Sequence, residues 1–327
     1  MDDNAAATFA REFGAIAGAC AAAIVGKAEA VALVVTALLA GGHVLLEDVP
    51  GTGKTTLAKA VAAAVRATHG RVQFTPDLLP SDLIGANIYD QRRGQFEFRP
   101  GPVFCSVLLA DEVNRASPKT QSALLEVMEE RQVTVDGVSR PAPSPFVVIA
   151  TQNPVEQIGT YPLPEAQLDR FLIRASLGYP DHATSAWLVE QCAWADRSAA
   201  VAPAVTAARV VELANLAAQA RIAPAVAGYI VSLCEATRAD ERCELGVSTR
   251  GGLALGRCAK VWAMAKGRAY VTPDDVKDLA AAVLAHRLIV APDALIDGVK
   301  ASDVVADVLR RVPAPRSGGD QAAGAAA

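Results

Sequence analysis

The feature that most constrains the fold is a glycine- and threonine-rich segment at residues 50–56. It reads Pro50, Gly51, Thr52, Gly53, Lys54, Thr55 and Thr56. The apolar residues 43–47 before it are typical of a short buried strand, and residues 54–66 have helical spacing. A glycine-rich loop between a strand and a helix lets backbone N–H groups and the helix N-terminus surround phosphate oxygens. The segment is therefore predicted to bind phosphate groups.

Two side chains of this loop have chemistry that suits a nucleoside triphosphate. Lys54 is predicted to reach the β- and γ-phosphates, and the hydroxyl of Thr55 is predicted to bind Mg²⁺. The full phosphate-loop pattern begins with glycine, whereas this chain has Asp48 at that position. The two glycines nearest the phosphates are present, so we expect ATP and Mg²⁺ to bind despite this departure.

Further apolar segments predict a sheet around the loop. Residues 71–74, 107–110 and 146–150 are strand-like, and residues 172–177 are a plausible fifth strand. These segments alternate with helical ones, which indicates a doubly wound parallel α/β sheet. This part of the chain, residues 1–181, is predicted to be one α/β domain.

From residue 182 the pattern changes to consecutive helices. Helical spacing is found at residues 183–196, 204–220, 224–239, 250–266 and 273–286. No convincing strand separates these segments, so residues 182–311 are predicted to form an all-helical domain. The tail, residues 312–327, is rich in proline, glycine and alanine and is predicted to be disordered.

Two hairpins are predicted to interrupt the α/β half. Residues 88–90 and 95–98 flank a polar turn. The second hairpin contains Asp136 and Gly137, a dipeptide that favours a two-residue hairpin turn. Neither hairpin is needed to hold a nucleotide, so both are candidates for contact with a partner or substrate.

A pair of carboxylates follows the apolar strand at residues 107–110. Asp111 is predicted to lie beside the Mg²⁺, and Glu112 is predicted to polarise the water that attacks the γ-phosphate. A protein that only bound ATP would not require Glu112. Asn153 follows the next apolar strand and is placed to donate a hydrogen bond to the γ-phosphate or to the attacking water.

The order of these motifs resembles that of the AAA+ superfamily, and several segments closely resemble the MoxR family. The segments that carry this resemblance lie at residues 47–55, 101–104, 111–116, 150–154 and 164–171. The resemblance extends from about residue 25 to residue 286. It implies a phosphate-loop α/β domain followed by a helical lid domain.

The resemblance assigns roles that spacing alone does not give. Arg170 matches the arginine finger, which acts on the ATP of the neighbouring subunit, and Arg250 matches the second sensor of the lid. Val25 and Gly26 match the position that lines the adenine pocket. Arg115 and Arg174 are further arginines near the site, and which of them also acts across a subunit interface is left open.

An arginine finger supplied by a neighbour implies a homo-oligomeric ring, which we expect to be a hexamer. In similar proteins, ATP hydrolysis drives chaperone-like remodelling or maturation of a partner, often with a von Willebrand factor A domain adaptor or a metalloenzyme as client. Such an adaptor would come from another polypeptide. The two predicted hairpins match inserts that project toward the pore or one face of the ring.

Composition bears on the alternatives. The net charge of −4 and the aromatic share of 5% argue against a nucleic-acid motor. A nucleotide-bound scaffold without hydrolysis is disfavoured by Glu112, Asn153 and Arg170, and a small-molecule kinase needs neither finger nor lid.

The acidic N-terminus, the absence of a long apolar run and six cysteines without a CxxC pair predict a cytoplasmic protein without a membrane span.

Overall fold

The computed structural model describes residues 3–153, 159–191 and 197–315. The strands are β1 Val44–Glu47, β2 His69–Gln73, β3 Gly85–Asp90, β4 Gln95–Pro100, β5 Val107–Asp111, β6 Gln132–Val135, β7 Val138–Pro141, β8 Val147–Gln152, β9 Ile173–Ala175, β10 Cys243–Leu245 and β11 Ile289–Val290. The helices are α1 Asp3–Ala23, α2 Ala28–Leu39, α3 Lys54–Ala64, α4 Pro80–Ile84, α5 Pro118–Glu130, α6 Glu165–Leu168, α7 His182–Gln191, α8 Ala207–Ala218, α9 Pro224–Arg238, α10 Thr249–Ala265, α11 Pro273–Leu284, α12 Pro292–Ile296 and α13 Ala301–Arg311.

Five strands form the central parallel sheet, in the order β2-β5-β8-β1-β9. In β1, Val44 lies between Ile149 of β8 and Ile173 of β9. The strands β1, β5 and β8 are buried on both faces, which explains why their sequences are continuous apolar runs. The predicted doubly wound parallel sheet is confirmed, although the fifth strand is shorter than the predicted 172–177.

Two hydrophobic layers cover the sheet. Leu109 of β5 faces the layer that contains α1, α2 and α3, and Leu108 faces the layer that contains α5. Helices from the second half also pack into the first layer. Leu213 of α8 and Leu255 of α10 belong to the same buried cluster as Leu109. The sheet and the second half therefore share one hydrophobic core.

Both predicted hairpins are confirmed, as β3–β4 and β6–β7. Asp136 and Gly137 have φ values of 50° and 76°, as a two-residue turn with positive φ at both positions requires. The hairpins also contact each other. The Asn87 side-chain amide donates to the Asp136 carboxylate at 2.5 Å, and the Arg140 guanidinium lies 3.8 Å from the centre of the Phe98 ring.

The second half is built mainly of helices, as predicted, and α8 to α11 correspond to four of the predicted segments. The helix α7 covers the start of the predicted segment 183–196, and residues 192–196 lie outside the described ranges. The expectation of no strand in this half is wrong, because β10 and β11 pair antiparallel. Strands of two or three residues are too short to show a period in the sequence.

The end of the described chain is packed rather than free. Val312 and Ala314 lie against the hydrophobic core, so the prediction of a disordered tail beginning at residue 312 is wrong for its first residues. The remainder, residues 316–327, lies outside the described ranges. Every helix within those ranges is too short or too polar to cross a membrane.

Candidate active site

The carboxyl-terminal edge of the parallel sheet brings the predicted motifs together. The loop of residues 50–53 follows β1, Asp111 ends β5, and Asn153 follows β8, which lies between those two strands. The Thr151 hydroxyl of β8 donates to Asp111 Oδ1 at 3.0 Å and accepts from the Glu112 backbone N–H at 2.8 Å. Asn153 is buried at this edge, 6% exposed. Pro154, which follows it, lies outside the described residues.

The phosphate loop has the backbone shape that its glycines permit. Gly51 and Gly53 have φ values of 84° and 94°, in the region that residues with a side chain rarely adopt. The helix α3 begins at Lys54, whose ammonium group donates to the backbone carbonyls of Asp48 at 2.9 Å and Val49 at 3.2 Å. The lysine side chain therefore folds over the loop.

Asp48, which departs from the phosphate-loop pattern, has a structural role. Its side chain is buried and accepts from the Ser176 hydroxyl at 2.7 Å and from the backbone N–H groups of Leu177 at 2.6 Å and Gly178 at 2.8 Å. A carboxylate with several donors stabilises the backbone that carries them. Asp48 thus anchors the start of the loop to the chain that follows β9.

The two carboxylates at the end of β5 are held by residues that the sequence analysis missed. Arg71 of β2 donates to Asp111 Oδ2 from Nε at 3.0 Å, and its Nη2 lies 2.9 Å from the same oxygen. Gln73, two residues further on the same strand, donates to Glu112 Oε2 at 2.7 Å. The only local signal was the polar side chains at alternate positions of a strand at the sheet edge.

Arg115 and Arg174, whose roles were left open, both lie at carboxylates of this edge. Arg115 Nη1 donates to Glu112 Oε2 at 3.2 Å. Arg174 of β9 forms an ion pair with Glu47 of β1 at 3.5 Å. Glu112 therefore has two side-chain partners, Gln73 and Arg115. Its carboxylate would give up at least one of these hydrogen bonds in order to orient a water.

A cleft of about 450 Å³ lies beside the phosphate loop. Val25 lines it opposite Gly51, Thr52, Gly53, Thr55 and Thr56, together with Ile24, Leu188 and Pro180. Gly26, with a φ of 76°, forms the turn between α1 and α2 next to this wall. The structure thus brings Val25 to the cleft beside the loop, with Gly26 next to it in the chain, and the apolar side chains suit a flat aromatic base.

Arg170 and Arg250 lie at the opposite edge of the sheet. The backbone N–H of Leu172 donates to the carbonyl of His43, which places the chain just before β9 level with the start of β1. The phosphate loop follows the end of β1. A four-residue strand separates the two edges by about 13 Å. Neither arginine can therefore contact a nucleotide held by its own chain in this arrangement.

One carboxylate holds both of these arginines. Glu129, near the end of α5, accepts from Arg250 Nη2 at 2.7 Å and forms an ion pair with Arg170 at 3.1 Å. The hydrogen bond from Arg250, together with the charge of Arg170, lowers the pKa of Glu129. The resemblance gave Arg250 as the second sensor of the lid, and here its guanidinium pairs with Glu129 instead of lying beside the phosphate loop of its own chain.

Buried groups fix the segment that carries Arg170. Arg287 donates to Asp169 Oδ1 at 2.6 Å and to the Phe171 carbonyl at 2.7 Å, and its side chain is 3% exposed. The His286 Nε2 lies 3.0 Å from the same carbonyl. The segment around Arg170 is therefore bound to the second half of the chain by hydrogen bonds on both sides of the arginine.

The fold and the site define a phosphate-loop ATPase of the AAA+ class, and comparison with known proteins agrees. The model of the ATPase family associated with various cellular activities (AAA) matches residues 43–173, and the AAA lid domain model matches residues 235–308. A crystal structure of a proposed ATPase from Cytophaga hutchinsonii superposes with a TM-score of 0.89 at 38% identity, covering 96% of this chain and 98% of that one.

Proteins similar in sequence show to which family within the AAA+ class the chain belongs. Chaperone MoxR1 of Mycobacterium tuberculosis is 41% identical over 90% of this chain and 80% of its own length. Protein MoxR of Methylorubrum extorquens is 33% identical over 95% and 96%, respectively. The uncharacterized protein YeaC of Bacillus subtilis is 45% identical over 89% and 91%. This chain belongs to the MoxR family of AAA+ ATPases.

Proposed function

We propose that this chain hydrolyses ATP to ADP and phosphate with Mg²⁺, as a ring whose subunits complete one another's sites. The hydrolysis would drive remodelling or maturation of a partner protein. The observation that carries this proposal is the position of Arg170 and the phosphate loop at opposite edges of one sheet. A ring is the simplest assembly in which each finger reaches a nucleotide.

The residues at the carboxyl-terminal edge suit ATP and Mg²⁺. Lys54 and the N-terminus of α3 would hold the phosphates, with Val25 and Gly26 beside the base. Thr55 and Asp111 offer the oxygen ligands that Mg²⁺ prefers. Mg²⁺ held there would supply positive charge that offsets the negative charge of the phosphates.

Glu112 and Asn153 would act on the attacking water. Glu112 lies directly after Asp111, and its carboxylate is within hydrogen-bond reach of Gln73 and Arg115. When it turns from these donors toward the γ-phosphate, it can orient and polarise a water. Asn153, at the end of the neighbouring strand, would hold the same water or the γ-phosphate.

Arg170 would supply positive charge to the neighbouring subunit's γ-phosphate, where an arginine finger is worth about 10³–10⁵ in rate. Arg250 shares Glu129 with Arg170, so we assign it to the same neighbouring nucleotide. In that role Arg250 would link the second half of one subunit to the nucleotide of the next. We retain a hexamer as the proposed ring.

The partner is proposed to be a protein. One relative is named a chaperone, which favours work on another polypeptide. The hairpin β3–β4 exposes Ile88, Tyr89 and Phe96, and the two aromatic rings pack edge to face at 5.3 Å. Exposed aromatic side chains are common in protein-binding surfaces. A von Willebrand factor A domain adaptor or a metalloenzyme client remains the proposed type of partner.

The remaining sequence-based assignments stay proposals. These are the α/β domain at residues 1–181, the helical lid at 182–311 and the cytoplasmic location. Free thiols at Cys20, Cys105, Cys234, Cys243 and Cys258 are compatible with a reducing compartment. A nucleic-acid partner is not proposed, and ATPase stimulation by single-stranded DNA that disappears with salt would support one instead.

The proposal is tested by mixing two inactive variants. Glu112→Gln removes the group that polarises water, and Arg170→Ala removes the finger, so each variant alone should hydrolyse ATP at least a hundredfold more slowly. An equal mixture should regain about a quarter of wild-type activity, because half of the subunits keep Glu112 and half of their neighbours keep Arg170. Wild-type specific activity should also rise with protein concentration.

Three outcomes separate the parts of this proposal. A mixture as inactive as its components would contradict the finger in trans. A wild-type rate independent of concentration, with Arg170→Ala still active, would leave ATP hydrolysis in place and exclude the ring mechanism. A wild-type protein that hydrolyses no ATP, although it binds the nucleotide, would favour the scaffold alternative.

A further inference from the structure

Arg71 lies on the face of the edge strand β2 that points toward the phosphate-loop side of the sheet. Val72, its neighbour in β2, and Phe74, which follows β2, belong to the opposite buried layer, which contains Leu108. Asp111 lies on the same side as Arg71, because it follows Leu109 by two residues in β5 and Leu109 packs against α3. The two side chains therefore meet on the nucleotide side of the sheet.

The contact with Asp111 uses one specific oxygen. Oδ1 accepts from the Thr151 hydroxyl at 3.0 Å, and Oδ2 accepts from Arg71 Nε at 3.0 Å with Nη2 at 2.9 Å. The Asp111 side chain is 9% exposed, whereas that of Arg71 is 50% exposed. The carboxylate is thus fixed in the protein, and the arginine is the partner that can leave it for solvent.

We propose that Arg71 is a positioning residue that competes with Mg²⁺ for Asp111 and sets how much Mg²⁺ the site requires. This inference rests on the proposed function, since it concerns the same Mg²⁺-nucleotide. With Mg²⁺ bound near Asp111, the guanidinium withdraws from Oδ2. When Mg²⁺ is scarce, Arg71 keeps the buried carboxylate paired.

Charge supports this competition. A carboxylate oxygen in the Mg²⁺ shell and a guanidinium on the same oxygen would place like charges within a few ångströms. Without a cation, Asp111 would be a nearly buried carboxylate with only a neutral hydroxyl donor, which is unfavourable. The half-exposed Arg71 can supply the missing charge and then return to water at small cost.

The test uses Arg71→Gln, which removes the charge but keeps a hydrogen-bond donor. Binding of a fluorescent ADP analogue is measured at fixed protein concentration while free Mg²⁺ is raised from an EDTA baseline. The half-saturating Mg²⁺ concentration should fall about two- to fivefold relative to wild type, as expected for loss of a partly exposed ion pair. Affinity for the analogue in EDTA should not rise.

Two further variants make the test specific. Arg71→Lys keeps the charge without the planar guanidinium. It should give a half-saturating Mg²⁺ concentration between those of wild type and Arg71→Gln. Arg209→Gln is the matched control, because Arg209 pairs with Glu12 of α1 at 2.9 Å and has no contact with Asp111. This control should bind the analogue with the Mg²⁺ dependence of wild type.

The outcomes are distinguishable. If Arg71→Gln and Arg71→Lys need as much Mg²⁺ as wild type, or more, the competition is refuted while Mg²⁺-dependent nucleotide binding stands. If wild type itself binds the analogue at no Mg²⁺ concentration, the proposed function fails, and this inference fails with it. The melting temperature of each variant shows whether it is folded.

Discussion

At the residue scale, Asp111 and Glu129 each join segments that lie far apart in the chain. Arg71 reaches Asp111 across 40 residues of chain. Arg250 reaches Glu129 across 121. Such contacts depend on strand order and helix placement, and no local pattern in a single sequence gives them. Lys54, Asp111 and Glu112, by contrast, could be proposed from the sequence, because each stands at the end of a strand or the start of a helix.

His43 is a second residue whose surroundings the sequence did not reveal. It precedes β1 and is buried, with Nδ1 accepting from the Val148 backbone N–H at 3.0 Å and Nε2 3.0 Å from the Met128 carbonyl. Burial, with a smaller contribution from the charge of Arg131, lowers its pKa from 6.5 to about 3. The imidazole is therefore neutral in the folded protein at neutral pH.

This burial predicts an acid-sensitive free energy of unfolding. The unfolded chain takes up a proton at His43 below pH 6.5, whereas the folded chain does so only near pH 3. The contribution of His43 is complete above pH 6.5 and is lost as pH falls through that window. His43→Gln should therefore reduce the slope of the free energy of unfolding against pH, between pH 6 and 4, by about 1.4 kcal/mol per pH unit. Urea denaturation at several pH values measures it.

The control for this prediction is His182→Gln, because His182 is exposed at the start of α7. Its pH dependence should match that of wild type. Equal slopes for His43→Gln and wild type would show that His43 does not remain neutral in the folded protein. His286, which is also buried, stays in every variant and contributes equally to each slope.

At the element scale, helices, strands and hairpins with a long periodic segment or a turn signal were predictable from the sequence. Very short elements and those near the end of the chain were not. The sheet strands follow from apolar runs, the first hairpin from the polar turn at residues 91–94 and the second from the Asp136-Gly137 turn. The helix α13 was missed although Val304, Val305 and Val308 give it an apolar face. The pair β10–β11 was missed because its partners are 44 residues apart at their closest and only two or three residues long.

The base of the hairpin β3–β4 depends on the absence of a side chain. A Cβ atom at Gly101 would lie 2.2 Å from the Leu83 carbonyl oxygen and 2.5 Å from the Gly85 backbone nitrogen. We predict that Gly101→Ala lowers the free energy of unfolding by about 3 kcal/mol, because backbone atoms would have to separate. Chemical denaturation measures the change.

Gly228→Ala is the matched control for the hairpin prediction. Gly228 lies in α9, and a Cβ atom there meets nothing within 4 Å. The same substitution should therefore raise the free energy of unfolding by about 0.5–1 kcal/mol, through helix propensity alone. If Gly101→Ala leaves the free energy of unfolding unchanged, the backbone at the hairpin base can move apart without a loss of stability.

At the scale of the whole molecule, the sheet and the second half should unfold together. Their side chains share one buried cluster, in which Leu213 and Leu255 lie with Leu109. All three tryptophans, Trp187, Trp194 and Trp262, belong to the second half of the chain. We predict that tryptophan fluorescence and far-ultraviolet circular dichroism give the same denaturation midpoint. An earlier fluorescence transition would show that the second half unfolds independently.

The positions of the phosphate loop and Arg170 also limit how copies of the chain can assemble. A subunit that offers a finger at one edge and receives one at the other associates head to tail, through two different surfaces. Such association either closes on itself or continues as an open helix. A closed ring under the proposed arrangement completes every site, whereas an open series leaves its first and last members unmatched. Breaking one interface of such a ring would therefore inactivate a single site and leave the other sites able to hydrolyse ATP.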